Sequence, residues 1–141
     1  MLARRRWLGW ATLPLLLPAA VQAEVINVTE AQLLALHMPT DGVTLTVPEV
    51  ADTGSSVPLS AAVVAPAGLA VTAIEVMLPA NPFTRALKIN LVEPLPRFSF
   101  TTRLRLGGSQ NVWVVATLSD GSQRAANAPT QVTSSACYDA S

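Results

Sequence analysis

One cysteine, Cys137, and one histidine, His37, are all that the sequence holds of the side chains that most often ligate metals or carry redox chemistry. A lone cysteine excludes an internal disulfide framework and a structural zinc site of paired ligands. The chain also lacks a glycine-rich nucleotide loop and a serine set in a nucleophile elbow. Its nine carboxylates are scattered, with no pair placed for acid–base work. Charged residues make up only 13% and aromatics 5%. The pattern excludes a self-sufficient active site of any familiar kind. His37, with no second ligand type near it in sequence, reads as a helix-end residue rather than a metal ligand.

Long apolar runs are missing as well. The stretch from Trp7 to Leu17 is broken by Gly9, Thr12 and Pro14, and it is too short for a permanent anchor, which takes ~20 apolar residues. It follows Arg4-Arg5-Arg6 and leads to Val21-Gln22-Ala23, small residues of the kind that precede signal cleavage. Residues 1–23 therefore read as an export signal, with Glu24 as the first mature residue and a periplasmic destination. Arg4-Arg5-Arg6-Trp7-Leu8 further resembles a twin-arginine signal, which suits export of a folded or pre-assembled protein. Nine basic residues less those three leave six against nine acidic, a formal net charge of −3. A mildly acidic domain with no basic run gives no electrostatic support to nucleic-acid binding. The mature part is large enough to bury a core without staples.

In an oxidising compartment an unpaired cysteine means either an intermolecular bond or a working thiol. Cys137 sits in the tail Ser134-Ser135-Ala136-Cys137-Tyr138-Asp139-Ala140-Ser141, where chains are usually loose and solvated. A structural cysteine would normally lie inside a strand or helix. The reading is a functional thiol.

One helix is expected, and it comes first. Thr29-Glu30-Ala31-Gln32 has the capping-box pattern, and Pro39 follows the run to His37. The period then switches to two. Val43–Val47, Val57–Ala65 and Val71–Leu78 read as strands, bounded by glycine and proline turns. Between Pro79 and Pro96 only a short strand at Ala86–Leu91 is assignable. Phe98, Phe100, Leu104 and Leu106 alternate with Ser99, Thr101, Arg103 and Arg105, so the apolar set faces a core and the arginines face out. Gly107-Gly108 reads as a hairpin turn into Val112–Leu118, and Asp120-Gly121 as a second into Gln123–Ala126. Gln131–Thr133 reads as a last edge strand. The sum is an all-β, immunoglobulin-like antiparallel sandwich with a short N-terminal helix, spanning residues 24–133, followed by a flexible tail at 134–141.

One strand breaks the alternation. Val112, Val114, Ala116 and Leu118 should fill the core, yet the opposite face shows Trp113 and Val115. A solvated face would be polar, so something covers this one. The sequence leaves two covers open: the chain's own Pro79–Pro96 segment, or a partner subunit, which makes Trp113 and Val115 interface candidates.

The stretch Thr102-Arg103-Leu104-Arg105-Leu106-Gly107-Gly108-Ser109-Gln110-Asn111-Val112, continuing through Val114-Val115-Ala116 to Leu118-Ser119-Asp120-Gly121-Ser122, is similar to the signature region of the SoxY family. Leu45-Thr46-Val47-Pro48-Glu49-Val50-Ala51-Asp52-Thr53-Gly54-Ser55-Ser56-Val57-Pro58-Leu59 and Asn81-Pro82 support it in the right order. The resemblance implies an immunoglobulin-like carrier of periplasmic thiosulfate oxidation, paired in a heterodimer with a SoxZ-like subunit. It implies that Cys137 holds sulfur intermediates covalently, with no cofactor bound by this chain. A haem protein, a hydrolase and a molybdenum enzyme act on the cargo, so the chain itself is not an enzyme. The tail departs from the family pattern, in which glycines flank the cysteine. Here Ser135 and Ala136 precede Cys137, and Tyr138 and Asp139 follow it. The other reading of the residues is an interaction module whose cysteine forms a mixed disulfide with another redox protein.

Overall fold

The computed structural model describes residues 28–134. Residues 1–23, read above as an export signal, and the tail residues Ser135, Ala136, Cys137, Tyr138 and Asp139 lie outside the described residues.

Helix α1 (Glu30–Ala35) forms at the expected place, and its first turn is closed locally. Thr29 Oγ1 accepts from Gln32 N at 3.1 Å, and Gln32 Oε1 accepts from Thr29 N at 2.8 Å. These two bonds satisfy donors that a helix start leaves without partners. The helix ends where His37 turns to φ 49, a left-handed conformation common just past a helix C-terminus. Six residues are too few to hold a helix in water alone, so its persistence comes from packing.

Eight strands follow: β1 (Val43–Thr46), β2 (Val50–Ala51), β3 (Val57–Val64), β4 (Val71–Met77), β5 (Arg85–Leu95), β6 (Arg97–Leu104), β7 (Gln110–Leu118) and β8 (Gln123–Val132). They form a three-stranded sheet in the order β1-β3-β6 and a five-stranded sheet in the order β2-β8-β7-β4-β5. All pairs are antiparallel except β2 with β8, which run parallel. The sandwich read from the sequence is thus present, with one short parallel pair added.

The core lies between the sheets. Val57, Leu59, Ala61 and Val63 from β3 meet Ile74 and Val76 from β4 and Val112, Val114, Ala116 and Leu118 from β7. Leu104 and Leu106 are buried with them, and Phe98 and Phe100 pack at their margin. Period-two alternation drives this arrangement, because strand neighbours point to opposite faces. Gly42 makes the entry to β1 possible: at φ 82 it lies so close to the Val64 carbonyl that a Cβ would collide with it.

Three expectations about the strands need correction. Gly107-Gly108 does not turn a hairpin: β6 pairs with β3 in one sheet, whereas β7 pairs with β4 and β8 in the other. The chain crosses between sheets there, because Leu104 and Leu106 are drawn into the core and β7 finds its partners elsewhere. Gln123–Ala126 and Gln131–Thr133 are parts of one strand, β8, which runs through Pro129. Proline is tolerated there because β2 pairs only from Gln131 onward, leaving that side of β8 open. The strand assigned to Ala86–Leu91 extends to Leu95 and contains Pro94, as an edge strand permits.

The largest correction concerns Trp113 and Val115. Both are 4% exposed, and with Leu33, Met77 and Ala125 they form a second buried cluster on the outer face of the five-stranded sheet. The cover is α1 and its flanks, Val28 and Met38, and neither the Pro79–Pro96 segment nor a partner is required. Trp113 and Val115 are interior residues of this chain, which removes them as interface candidates.

Candidate functional site

The site grows from the end of β8, because the lone cysteine follows it in the chain. The backbone is held up to the last described residue. Gln131 N donates to Glu49 O at 2.8 Å, and Thr133 N to Ala51 O at 3.1 Å. Thr133 Oγ1 donates to Asp52 O at 2.7 Å, and Gly54 N donates to Ser134 O at 2.7 Å. On the other side Val132 N donates to Ser109 Oγ at 2.8 Å. The short parallel strand β2 thus has a clear use: it and the loop to Gly54 form a clamp on the departing chain.

That clamp is tied to the crossover between the sheets. Leu106 N donates to Gly54 O at 2.7 Å. Asn81 then braces the crossover from the loop after β4. Its Nδ2 donates to Arg105 O at 2.8 Å, and its Oδ1 accepts from Gly107 N at 2.8 Å and Gln110 Nε2 at 2.9 Å. Gln110 Oε1 in turn accepts from Ala80 N at 2.9 Å. An amide side chain suits this post because it donates and accepts at once.

The arrangement creates a rigid exit for the tail. It presents no constellation of nucleophile, base and orienting group, and among the described residues no three His, Cys, Asp or Glu side chains are grouped to hold a metal. No helix among them is long and apolar enough to cross a membrane. Of the residues singled out from the sequence, Trp113 and Val115 lie under α1, away from this exit. Cys137, Ser135, Ala136, Tyr138 and Asp139 are beyond the described residues. Asn81, Ser109, Gly54 and Thr133 were given no role by sequence reasoning. The Asn81-Pro82 pair just past a strand was the one local signal available for them.

The family profile described as sulfur oxidation protein SoxY matches residues 30–137. Among solved structures, the sulfur carrier protein SoxY from Chlorobium limicola f thiosulfatophilum superposes with a TM-score of 0.59 at 24% identity, covering 73% of this chain and 94% of that one. A superoxide reductase (neelaredoxin) from Ignicoccus hospitalis gives a TM-score of 0.50 at 16% identity, over 74% of this chain and 89% of that one. At these identities both likenesses concern the fold alone. The comparison with curated proteins gives no match. The family profile spans well over half of the sequence, through the helix, both sheets and the tail exit, and on that ground the chain belongs to the SoxY family of sulfur oxidation proteins.

Proposed function

We propose that this chain is a covalent sulfur carrier of a periplasmic Sox-type system, and that Cys137 is its attachment site. One observation carries the reading: the family match ends at residue 137, and residue 137 is the only cysteine in the chain. The clamp at Ser134 supports it. Cys137 follows Ser134 by three residue steps, about 10 Å of chain at full extension. A thiol on so short a tether leaves the sandwich body fixed while it is offered to other proteins.

The chemistry is that of a soft nucleophile. A free thiol with a reference pKa of ~8.5 is partly ionised near neutrality, and the thiolate is the reacting form. Oxidative joining of thiosulfate to the thiol makes one sulfur–sulfur bond and releases one proton and two electrons, which a haem partner accepts. Hydrolysis of the terminal sulfonate then consumes one water, releases sulfate and leaves a persulfide. A molybdenum enzyme would oxidise that remaining sulfur. The carrier supplies none of these activities; it supplies the tethered sulfur. A SoxZ-like subunit completes the heterodimer, and residues 1–23 deliver the chain to the periplasm.

The test is Cys137→Ser in the producing organism. The variant is expected to fold as the parent does, by circular dichroism and urea titration, and to lose all thiosulfate-dependent sulfur loading. Loading that survives in Cys137→Ser would end the reading. A protein disulfide in place of a sulfur adduct would favour an interaction module instead.

A further inference from the structure

An open sheet edge offers a row of unpaired backbone groups, and proteins usually guard it. Among the described residues the two sheets end on four edge strands, β1, β6, β2 and β5. Three of them are guarded. β1 spans only four residues and β2 two. β5 carries Lys88 near its middle, loses register with β4 beyond Asn90 and contains Pro94. Short length, lysine, irregular register and proline all resist pairing. β6 has none of these: its eight residues run in unbroken register with β3 and include neither lysine nor proline.

The hydrogen bonds of β3 show which groups of β6 face outward. Val64 N donates to Gly42 O at 2.8 Å, toward β1, and Ala65 N donates to Pro96 O at 2.9 Å, toward β6. Alternation along the antiparallel ladder then directs Phe98, Phe100, Thr102 and Leu104 to β3. The N–H and C=O groups of Arg97, Ser99, Thr101 and Arg103 point to the open edge. The rings of Phe98 and Phe100 stack at 6.2 Å on the core side, yet both stay half-buried at its margin. A strand added to β6 would finish covering them.

Charge limits what that strand can be. The three-stranded sheet contains no carboxylate, and its two charges, Arg97 and Arg103, stand exposed at the ends of β6. Six strand steps put them roughly 20 Å apart. Arg103 donates to Ser56 Oγ at 3.3 Å, a neutral acceptor. A second copy of this chain is disfavoured. The antiparallel register that pairs the whole strand with its copy sets Arg97 against Arg103 at both ends, and like charges directly opposed are destabilising.

We propose that β6 is a docking edge for a strand of a different protein, with carboxylates at its first and seventh positions and apolar residues at its second, fourth and sixth. The carboxylates meet Arg97 and Arg103, the apolar set covers Phe98 and Phe100, and backbone pairing supplies the rest, as in other strand additions. The inference goes beyond the carrier reading and stands whether or not Cys137 bears sulfur.

The test uses the full mature chain under reductant and two end-blocked peptides, Glu-Val-Thr-Val-Thr-Val-Glu and Lys-Val-Thr-Val-Thr-Val-Lys. Amide exchange at Ser99 and Thr101, read by NMR, is expected to slow about fivefold with the acidic peptide at ~1 mM, and not with the basic one. The Arg97→Glu/Arg103→Glu double variant should reverse that preference. Thr101→Pro removes a donor that β3 does not use, so it should fold as the parent does and lose the protection at Ser99. If Thr101→Pro fails to fold, the assignment of that N–H to the open edge is wrong and the proposal falls with it. Equal protection by both peptides, or none at Ser99 and Thr101, would also overturn it. So would dimerisation of the parent chain that Thr101→Pro abolishes, since the edge would then belong to a second copy.

Discussion

Trp113 Nε1 donates to Glu30 Oε2 at 3.2 Å, and the same oxygen accepts from Asn111 Nδ2 at 2.9 Å. One carboxylate at the start of α1 therefore pins the helix to β7, while Leu33 lies beside Trp113 in the buried cluster beneath it. The indole is thereby satisfied at its one polar atom and buried over the rest, as a packed tryptophan requires.

Trp113→Ala should accordingly cost about 3–5 kcal/mol, the usual range for removing a large buried aromatic. Trp113→Glu should leave little folded protein, since it buries an unpaired charge in the same place. Glu30→Ala should cost less, about 1–2 kcal/mol, because two neutral donors lose a part-buried acceptor while the apolar packing stays. Urea titration followed by circular dichroism measures all three. A Trp113→Glu chain with parental stability would show that the face is solvent-exposed in the free protein.

Asn81→Ala should loosen the crossover and the tail clamp together. It removes the acceptor of Gly107 N and the donor to Arg105 O, at a cost of about 2 kcal/mol. Hydrogen exchange should quicken at Gly107 and Leu106 before it quickens in β7. Uniform acceleration over the whole sandwich would mean that Asn81 supports global stability and has no local bracing role.

Thr130 Oγ1 is buried and has no hydrogen-bond partner among the described residues. A buried hydroxyl without a partner is destabilising, so Thr130→Val should raise stability by about 1 kcal/mol. Thermal unfolding reads the sign directly. A loss of stability would mean that the hydroxyl is satisfied in solution.

The Asp120-Gly121 turn offers a pH-dependent test. The Ser122 hydroxyl donates to Asp120 Oδ1 at 2.6 Å and the Ser122 N–H at 2.9 Å, and these bonds, the hydroxyl first, hold the carboxyl below the ordinary range; slight desolvation works against them. A depressed carboxylate contributes stability above its unfolded pKa and loses it as pH falls through the folded value. Carboxyl NMR titration should find Asp120 below the ordinary carboxylate range, and Ser122→Ala should move it upward. No movement would assign the depression to other causes.

Much of this fold is legible in local sequence pattern. The capping box at Thr29–Gln32, the alternation from Phe98 to Leu106 and the inward set Val112, Val114, Ala116 and Leu118 all appear where the residues place them. What escapes is partnership between distant segments. Gly107-Gly108 reads as a hairpin because its flanks look like strands, yet nothing local reveals that β6 pairs with β3, some forty residues earlier. The cover over Trp113 escapes for the same reason: Glu30 and Trp113 are 83 residues apart, and a helix of six residues carries too short an apolar stripe to advertise its target. The prolines of β5 and β8 mask two long strands because their tolerance depends on which strand edges are open. Cys137 draws attention by its rarity alone, and its role rests on the proposal made above. The clamp before it was not legible, since Gly54 acts through its backbone, and the Ser109 and Asn81 side chains bond backbone groups of segments distant in sequence.

The central claim is that Cys137 carries sulfur, and the intact mass of the C-terminal peptide, isolated from the native producer without reductant, tests it most directly. The account predicts a peptide heavier by one or more sulfur atoms, with or without a sulfonate, returning to the bare mass after dithiothreitol. A peptide found only as free thiol, or only disulfide-linked to another protein, while the producer is oxidising thiosulfate would contradict it.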